Sequence, residues 1–202
     1  VNSGLGWSNS EAITLYGWYT ALVYLLCVPG GWLADKYLTH KNAVLYGGWL
    51  LCLGHLLLAI KHTNIFFLGL LFIILGVGLL KPSISTLVGS LYKEKDIRRD
   101  QGFTIFYIGI NLGAFFASIL VGFVGEVYGW HYGFSLAGFG MIVGQIFFIR
   151  GKKHFQGDSK LRSAMERKNL TKIQIDRIKL IIIASFILII FWAAFEQAGG
   201  LL

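Results

Sequence analysis

Charge is what this sequence has least of. Asp, Glu, Lys and Arg make up 14% of its 202 residues, against about 25% in a typical water-soluble domain, so the chain lacks the polar surface that a soluble fold needs. Proline is nearly absent, with 2 residues, and Leu, Ile and Phe are abundant, which together exclude disorder. The 2 cysteines, Cys27 and Cys52, sit inside apolar runs without metal-ligand spacing. They read as buried thiols, and neither a disulfide scaffold nor a zinc site is expected. The sequence contains no nucleophile elbow, phosphate loop or metal-ligand cluster, so an enzyme is disfavoured and no cofactor or metal is expected. Acidic residues are scarce too, 10 against 18 basic ones, for a formal charge of +8. Such an excess suggests nucleic acid unless the placement of the charges explains it otherwise.

What is present is apolar. Hydrophobic residues reach 55%, there are 26 glycines, and mean hydropathy is +0.66. Glycine is frequent in membrane-spanning helices because it lets their backbones approach closely. A bilayer core of about 30 Å takes roughly 20 helical residues, and six apolar stretches of that order separate the charged clusters. They are span A (Ala12 to Leu33), span B (Asn42 to Ile60), span C (Ile65 to Tyr92), span D (Gly102 to Val127), span E (Tyr132 to Ile149) and span F (Leu180 onward). Barrel strands would instead be about ten residues long with alternating polarity. The expected fold class is therefore an all-α polytopic membrane protein of about six transmembrane helices.

The five intervening loops alternate between basic and nearly uncharged. Asp35 to Lys41, Lys93 to Gln101 and Arg150 to Lys179 hold 16 of the 18 basic residues, which places these three loops in the cytoplasm. The net charge is thus a matter of topology, and nucleic-acid binding loses its support. On this orientation span A starts outside, at a polar opening segment without initiator Met or basic signal region. The expectation is an internal piece of a longer protein, with at least one span before it. Asp158 to Lys179 lacks Pro and Gly and mixes charge with Leu161, Met165, Leu170 and Ile173. It reads either as a short amphipathic surface helix or as a solvated linker. The N-x-T at Asn169 to Thr171 would face the cytoplasm and escape glycosylation.

A few residues need a reason to be in an apolar span. Lys81 lies about sixteen residues into span C, where a lysine costs about 2.5 to 3.5 kcal/mol on insertion scales. Snorkelling would have to cover about 16 Å of helix rise, so a watery cavity or an ion pair is the better account. Glu196 is placed at similar depth in span F. It either ends the span in external water or sits in the cavity, where a nearby lysine would favour its charged form and protonation would release the pair. Asn111 lies between Gly109 and Gly113, a G-x-x-x-G pattern expected to bring another helix close. It either hydrogen-bonds across that interface or lines a cavity, and Tyr107 shares its face. Tyr24 is either a packed tyrosine or a cavity donor. His55 reads as a packed, hydrogen-bonded histidine. Trp7, Trp130 and Tyr132 fall at the external boundary as an aromatic belt.

Four runs together then resemble a known family. GGWLADKYL at Gly30 to Leu38 resembles the loop motif of the major facilitator superfamily. LLKPSISTLVGSLY at Leu79 to Tyr92, FTIFYIGINLGAFFA at Phe103 to Ala117 and FWAAFEQAGG at Phe191 to Gly200 are similar, in order and spacing, to the proton-dependent oligopeptide transporter family. The resemblance implies a partial major facilitator fold in which spans A to F are helices two to seven. Residues 1–149 would belong to the N-terminal six-helix bundle, 150–179 to the cytoplasmic linker, and 180–202 to the first helix of the C-terminal bundle. It also implies proton-coupled symport of di- and tripeptides across the cytoplasmic membrane. Tyr24, Lys81, Tyr107 and Asn111 would contact the peptide. Glu196 would couple protonation to the external gate together with Lys81, and Asp35 would stabilise one conformation from the cytoplasmic loop. The partners implied are peptides, protons, the bilayer, a preceding helix and a C-terminal half. Alternatives are the same fold moving another small solute such as nitrate, or a truncated remnant that transports nothing. Three departures stand out. The helix-one motif E-x-x-E-R-F-x-x-Y is absent, Thr39 replaces an expected Gly, and Gly17 stands where animal relatives have a His.

Overall fold

A computed structural model describes residues 6–93, 95–155 and 171–200, with side chains up to Phe195 in the last stretch. All regular elements among them are helical: α1 (Asn9–Leu25), α2 (Cys27–Lys36), α3 (His40–Leu58), α4 (Thr63–Ser90), α5 (Arg98–Tyr128), α6 (Trp130–Gly151) with a short 3-10 turn after it, and α7 (Lys172–Gly200). Contacts divide the chain into two units, Val1–Ala164 and Met165–Leu202. The first contains α1 to α6, and the second contains α7.

The helix boundaries follow from local chemistry. Ser8 opens α1 with a reciprocal cap: its hydroxyl accepts from the Glu11 amide, and the Glu11 carboxylate accepts from the Ser8 amide at 2.9 Å. α1 and α2 form one 28-residue rod, Asn9–Lys36, interrupted at Leu26. Pro29 explains the break, because it has no N–H for the carbonyl four residues back and its ring crowds that carbonyl. Thr39, the departure from glycine, caps α3 by accepting from the Asn42 amide at 3.4 Å. Gly129, at φ +114°, makes the sharp turn between α5 and α6. Thr171 and Gln174 exchange hydrogen bonds of 3.3 and 2.9 Å, so the hydroxyl of the N-x-T triplet is occupied as a helix cap. α7 therefore begins at Lys172, eight residues before span F, because a capping pair starts a helix wherever it falls and charged residues need not end one. Most of the expected surface helix, its residues 158–170, lies outside the described residues.

The centre of the first unit is α3, which packs along α4 on one side and α6 on the other. Its contact with α4 is a ladder of glycines. A methyl group on Gly47 would come within 2.7 Å of the Gly76 carbonyl, and one on Gly54 within 2.9 Å of the Gly69 carbonyl. Both helices space these glycines seven residues apart, or two turns, so the antiparallel pair meets backbone to backbone twice on one stripe. Leu51 and Ile73 fill the space between the rungs, and Leu58, packed against Gly69, continues the buried apolar cluster past the second one. Gln145 of α6 is buried against Gly48 and donates to the Leu45 carbonyl at 3.0 Å, which ties α6 to α3.

Among the described residues five helical rods are long and apolar enough to cross a bilayer: Asn9–Lys36, Thr63–Ser90, Arg98–Tyr128, Trp130–His154 and Lys172–Phe195. α3, expected as span B, has 19 residues but is not one of them. His40, Lys41, Asn42, His55 and its glycines lower its apolarity, and its neighbours in the bundle make that tolerable.

Candidate functional site

Lys81 and Tyr24, singled out separately in the sequence, meet in the structure. The Lys81 ammonium lies 4.0 Å from the centroid of the Tyr24 ring, well inside the range of a cation–π contact. No carboxylate of the described residues is in ion-pair range of Lys81. Its partner among them is thus an aromatic face, where the sequence suggested an ion pair or water.

The crossing of α2 over α4 sets up this meeting. Pro82, directly after Lys81, leaves the Gly78 carbonyl without its helical donor. Gly30 of α2 lies against that carbonyl so closely that a methyl group on Gly30 would overlap it. A methyl group on Gly31 would touch the Pro82 ring at 3.5 Å, and one on Gly78 would come within 2.9 Å of the Leu26 carbonyl. α2 and α4 are therefore locked at glycines, and Tyr24 stands seven residues before Gly31, on the other side of the interruption at Leu26. Both Tyr24 and Lys81 remain exposed on the described surface.

Tyr107 and Asn111 share one face of α5, as their spacing requires, and are joined locally: the Asn111 amide donates to the Tyr107 carbonyl at 2.8 Å. Neither makes a hydrogen bond with Tyr24 or Lys81. The helix that Gly109 and Gly113 are expected to draw close is not among the described residues. A methyl group on either meets nothing within 4 Å. The pattern permits close approach but supplies no partner, and no other helix of the first unit runs along that face. Glu196 belongs to the backbone of α7, and its side chain lies outside the described residues.

Asp35 ends α2 and pairs with His40 Nε2 at 3.1 Å across the α2–α3 turn. Sequence reading missed His40, although its place five residues after the loop-motif aspartate, beyond a helix break, was the available signal. It also missed Gln145, the amide within span E, and the Lys152 ammonium, which donates to Asn42 Oδ1 at 3.1 Å. His55 is packed as expected, with Nδ1 2.7 Å from the Leu51 carbonyl, so that this nitrogen carries the proton. A cavity of about 360 Å³ near it is lined by aromatics including Tyr16, Tyr19, Phe66 and Phe134, and none of the candidate site residues lines it. Trp7 stacks on Phe67 at 5.7 Å, and Trp130 packs on Phe134 at 6.1 Å. In the loop before α5, hydrogen bonds from the Arg98 side chain and amide hold the Asp96 carboxyl below its ordinary range.

Long apolar helices packed through small residues, with a lysine held inside one of them by a neighbouring ring, define a multi-pass helical membrane protein. The POT family model matches residues 41–175, and the chain belongs to that family of transporters. It is 39% identical over 196 residues to the peptide transporter YePEPT of Yersinia enterocolitica, covering 94% of this chain and 38% of the relative. It is 45% identical over 156 residues to a di-/tripeptide transporter of Lactococcus lactis, covering 76% of this chain and 31% of the relative. A mutant of the peptide transporter POT crystallised with alafosfalin aligns with TM-score 0.74 at 40% identity, over 95% of this chain and 39% of that one. A POT family transporter in complex with 5-aminolevulinic acid aligns with TM-score 0.72 at 33% identity, over 96% of this chain and 40% of that one. The chain thus spans less than half the length of these relatives.

Proposed function

We propose that this chain forms part of a proton-coupled symporter that moves di- and tripeptides across the cytoplasmic membrane by alternating access, with its basic loops on the cytoplasmic side. The observation that carries the reading is Lys81, a cation within an apolar helix with no carboxylate of the described residues beside it and an aromatic ring beneath it. An ammonium midway along a membrane-spanning helix favours a carboxylate arriving from elsewhere, and a peptide C-terminus supplies one. Tyr107 and Asn111 would take polar groups of the peptide from α5. Glu196 would hold the proton, and its charged form would compete for the same ammonium, so that protonation frees Lys81 and uncouples two bundles. Asp35, paired with His40, would brace one conformation at the basic-loop end.

The test uses the complete transporter carrying this chain, in proteoliposomes. Lys81→Ala is expected to abolish proton-driven dipeptide uptake, and unchanged uptake would remove its role. Glu196→Gln is expected to keep peptide exchange but impair accumulation, and full accumulation would refute the coupling assignment. A second reading keeps the fold and changes the cargo. It is favoured by the relative bound to 5-aminolevulinic acid, which has an amine and a carboxylate but no peptide bond. Competition of dialanine against that amino acid decides between them: peptide cargo requires dialanine to compete at lower concentration.

A further inference from the structure

The glycine ladder between α3 and α4 continues into a polar rung. Gly54 meets Gly69 and Gly47 meets Gly76, two turns apart on each helix and in opposite directions. One more step of two turns brings His40, the first residue of α3, opposite Ser83 of α4. Both are buried, with 6% and 0% of their surface exposed. The Ser83 hydroxyl makes no hydrogen bond among the described residues, an unfavourable state for a buried polar group that glycine or alanine would have avoided. α2 closes the same place from a second side. Gly30 lies against the Gly78 carbonyl, Ala34 one turn later is buried, and Asp35 next to it holds His40 Nε2 at 3.1 Å. Three helices thus converge on one imidazole, with a carboxylate at one nitrogen and a buried hydroxyl on the facing helix.

That set has the chemistry of a proton switch. Imidazole takes up a proton between about pH 8 and about pH 5, where carboxylates stay ionised. A neutral ring that donates from Nε2 presents a lone pair at Nδ1, and a protonated ring donates from both nitrogens. A hydroxyl serves either state, because it donates to the lone pair or accepts from the N–H. We infer that Asp35, His40 and Ser83 form a tie between α2, α3 and α4 that tightens when His40 is protonated from the side of the basic loops. Resting on the reading of Asp35 as a brace, this names the residue that sets the brace's strength: protonation turns a hydrogen bond into an ion pair and adds an N–H donor for α4. Around the ring, Lys36 of α2 lies over the Trp32 and Tyr37 rings, Lys41 follows His40 on α3, and Lys152, beyond α6, donates to Asn42. His154 stands in the turn after α6, and α4 has no titratable residue from Pro82 to Leu91. These cations oppose a charge on the ring, and Asp35 supports it. A symporter that delivers protons to that side would slow as the side acidifies.

Hydrogen exchange at the amides of Asp35 to Asn42 in the detergent-purified complete transporter, corrected for the intrinsic effect of pH, tests the tie without a ligand. Protection is expected to rise about threefold from about pH 7.5 to about pH 5.5, the gain that a half-exposed ion pair gives. The rise is expected to vanish in His40→Gln, to shrink in Ser83→Ala and to persist in His154→Gln. Protection indifferent to pH, or a rise that survives His40→Gln, would overturn the tie. A full rise in Ser83→Ala would overturn it as well, by leaving α4 out. Should His40→Gln fail to fold, Asp35→Asn takes its place with the same loss expected. The second measurement is dialanine exchange by the complete transporter in proteoliposomes, at equal pH on both sides. Over the same change of pH it is expected to slow about threefold more in the unaltered protein than in His40→Gln. Equal slowing, with the pH-dependent protection intact, would keep the tie and remove the reading of Asp35 as a brace. No dialanine exchange by the unaltered protein would remove the peptide reading, while hydrogen exchange still decides whether His40 ties the three helices.

Discussion

α4 and α5 are both long and apolar, with 28 and 31 residues, and both carry candidate site residues, yet they are positioned in different ways. α4 has seven buried residues, three of them glycines pressed against other backbones. α5 buries only Gly102 and Gly125, and Gly109, Gly113 and Gly122 have open space beside them. The place of Lys81 is thus over-determined by α2 and α3, whereas that of Asn111 depends on its own helix. Apolarity does not distinguish the two cases, because lipid-facing and helix-facing surfaces are both apolar. Small residues mark a contact only when a partner has matching small residues in register.

The sharpest way to break this comparison is to put the same side chain on each helix. Gly76→Leu would drive a side chain into the Gly47 carbonyl, where only backbone could yield. It is expected to destabilise by about 3 kcal/mol or more, the upper end for overpacking. Gly113→Leu would meet nothing, and the better helix propensity of Leu is expected to leave stability equal or raised by up to about 1 kcal/mol. Unfolding in mixed micelles measures both, and equal losses would mean that the open face of α5 is occupied.

A smaller effect separates packing amides from site amides. Gln145→Leu removes a buried tie between α6 and α3 and is expected to cost about 0.6 to 1 kcal/mol, as interhelical hydrogen bonds in membranes do. Asn111→Leu removes only a bond within its own helix, so its stability loss should be near zero while peptide uptake falls.

The smallest effect lies in the loop between the two helices. Asp96 has its carboxyl held low by Arg98, so its support for the start of α5 is present above about pH 3.9, the ordinary aspartate value, and is lost as pH falls through the lowered one. Asp96→Asn should speed amide exchange at Arg98 and Arg99 at neutral pH, and the difference should disappear at a pH low enough to protonate Asp96 in the unaltered protein.

Most of the helices, and the place of Lys81 within one of them, were legible in the sequence, because a lysine in an apolar run and runs of about 20 residues are local signals. Tyr24 and Lys81 were each visible, but their contact was not: it depends on the crossing of α2 and α4, which Gly30 and Gly78 close. The ladder of Gly47, Gly54, Gly69 and Gly76 was hidden for the same reason. Its seven-residue spacing is in the sequence, yet antiparallel register pairs residues far apart along the chain. The G-x-x-x-G of α5 is a local pattern that names no partner, and none of the described residues meets it. The start of α7 was placed late because hydropathy was followed in preference to the capping pair Thr171 and Gln174.

The modest apolarity of α3 bears on how the protein is made. A nascent segment with His40, Lys41, Asn42 and His55 gains less from lipid than α4, which, four residues after it, brings a strongly apolar surface and the matching glycines. The two should therefore enter the bilayer as a hairpin rather than one after the other. A nascent chain ending at Leu58 is expected to leave α3 largely accessible to water-soluble thiol reagents at Cys52, and one extended to Ser90 to protect it. Protection already at Leu58 would show that α3 inserts unaided.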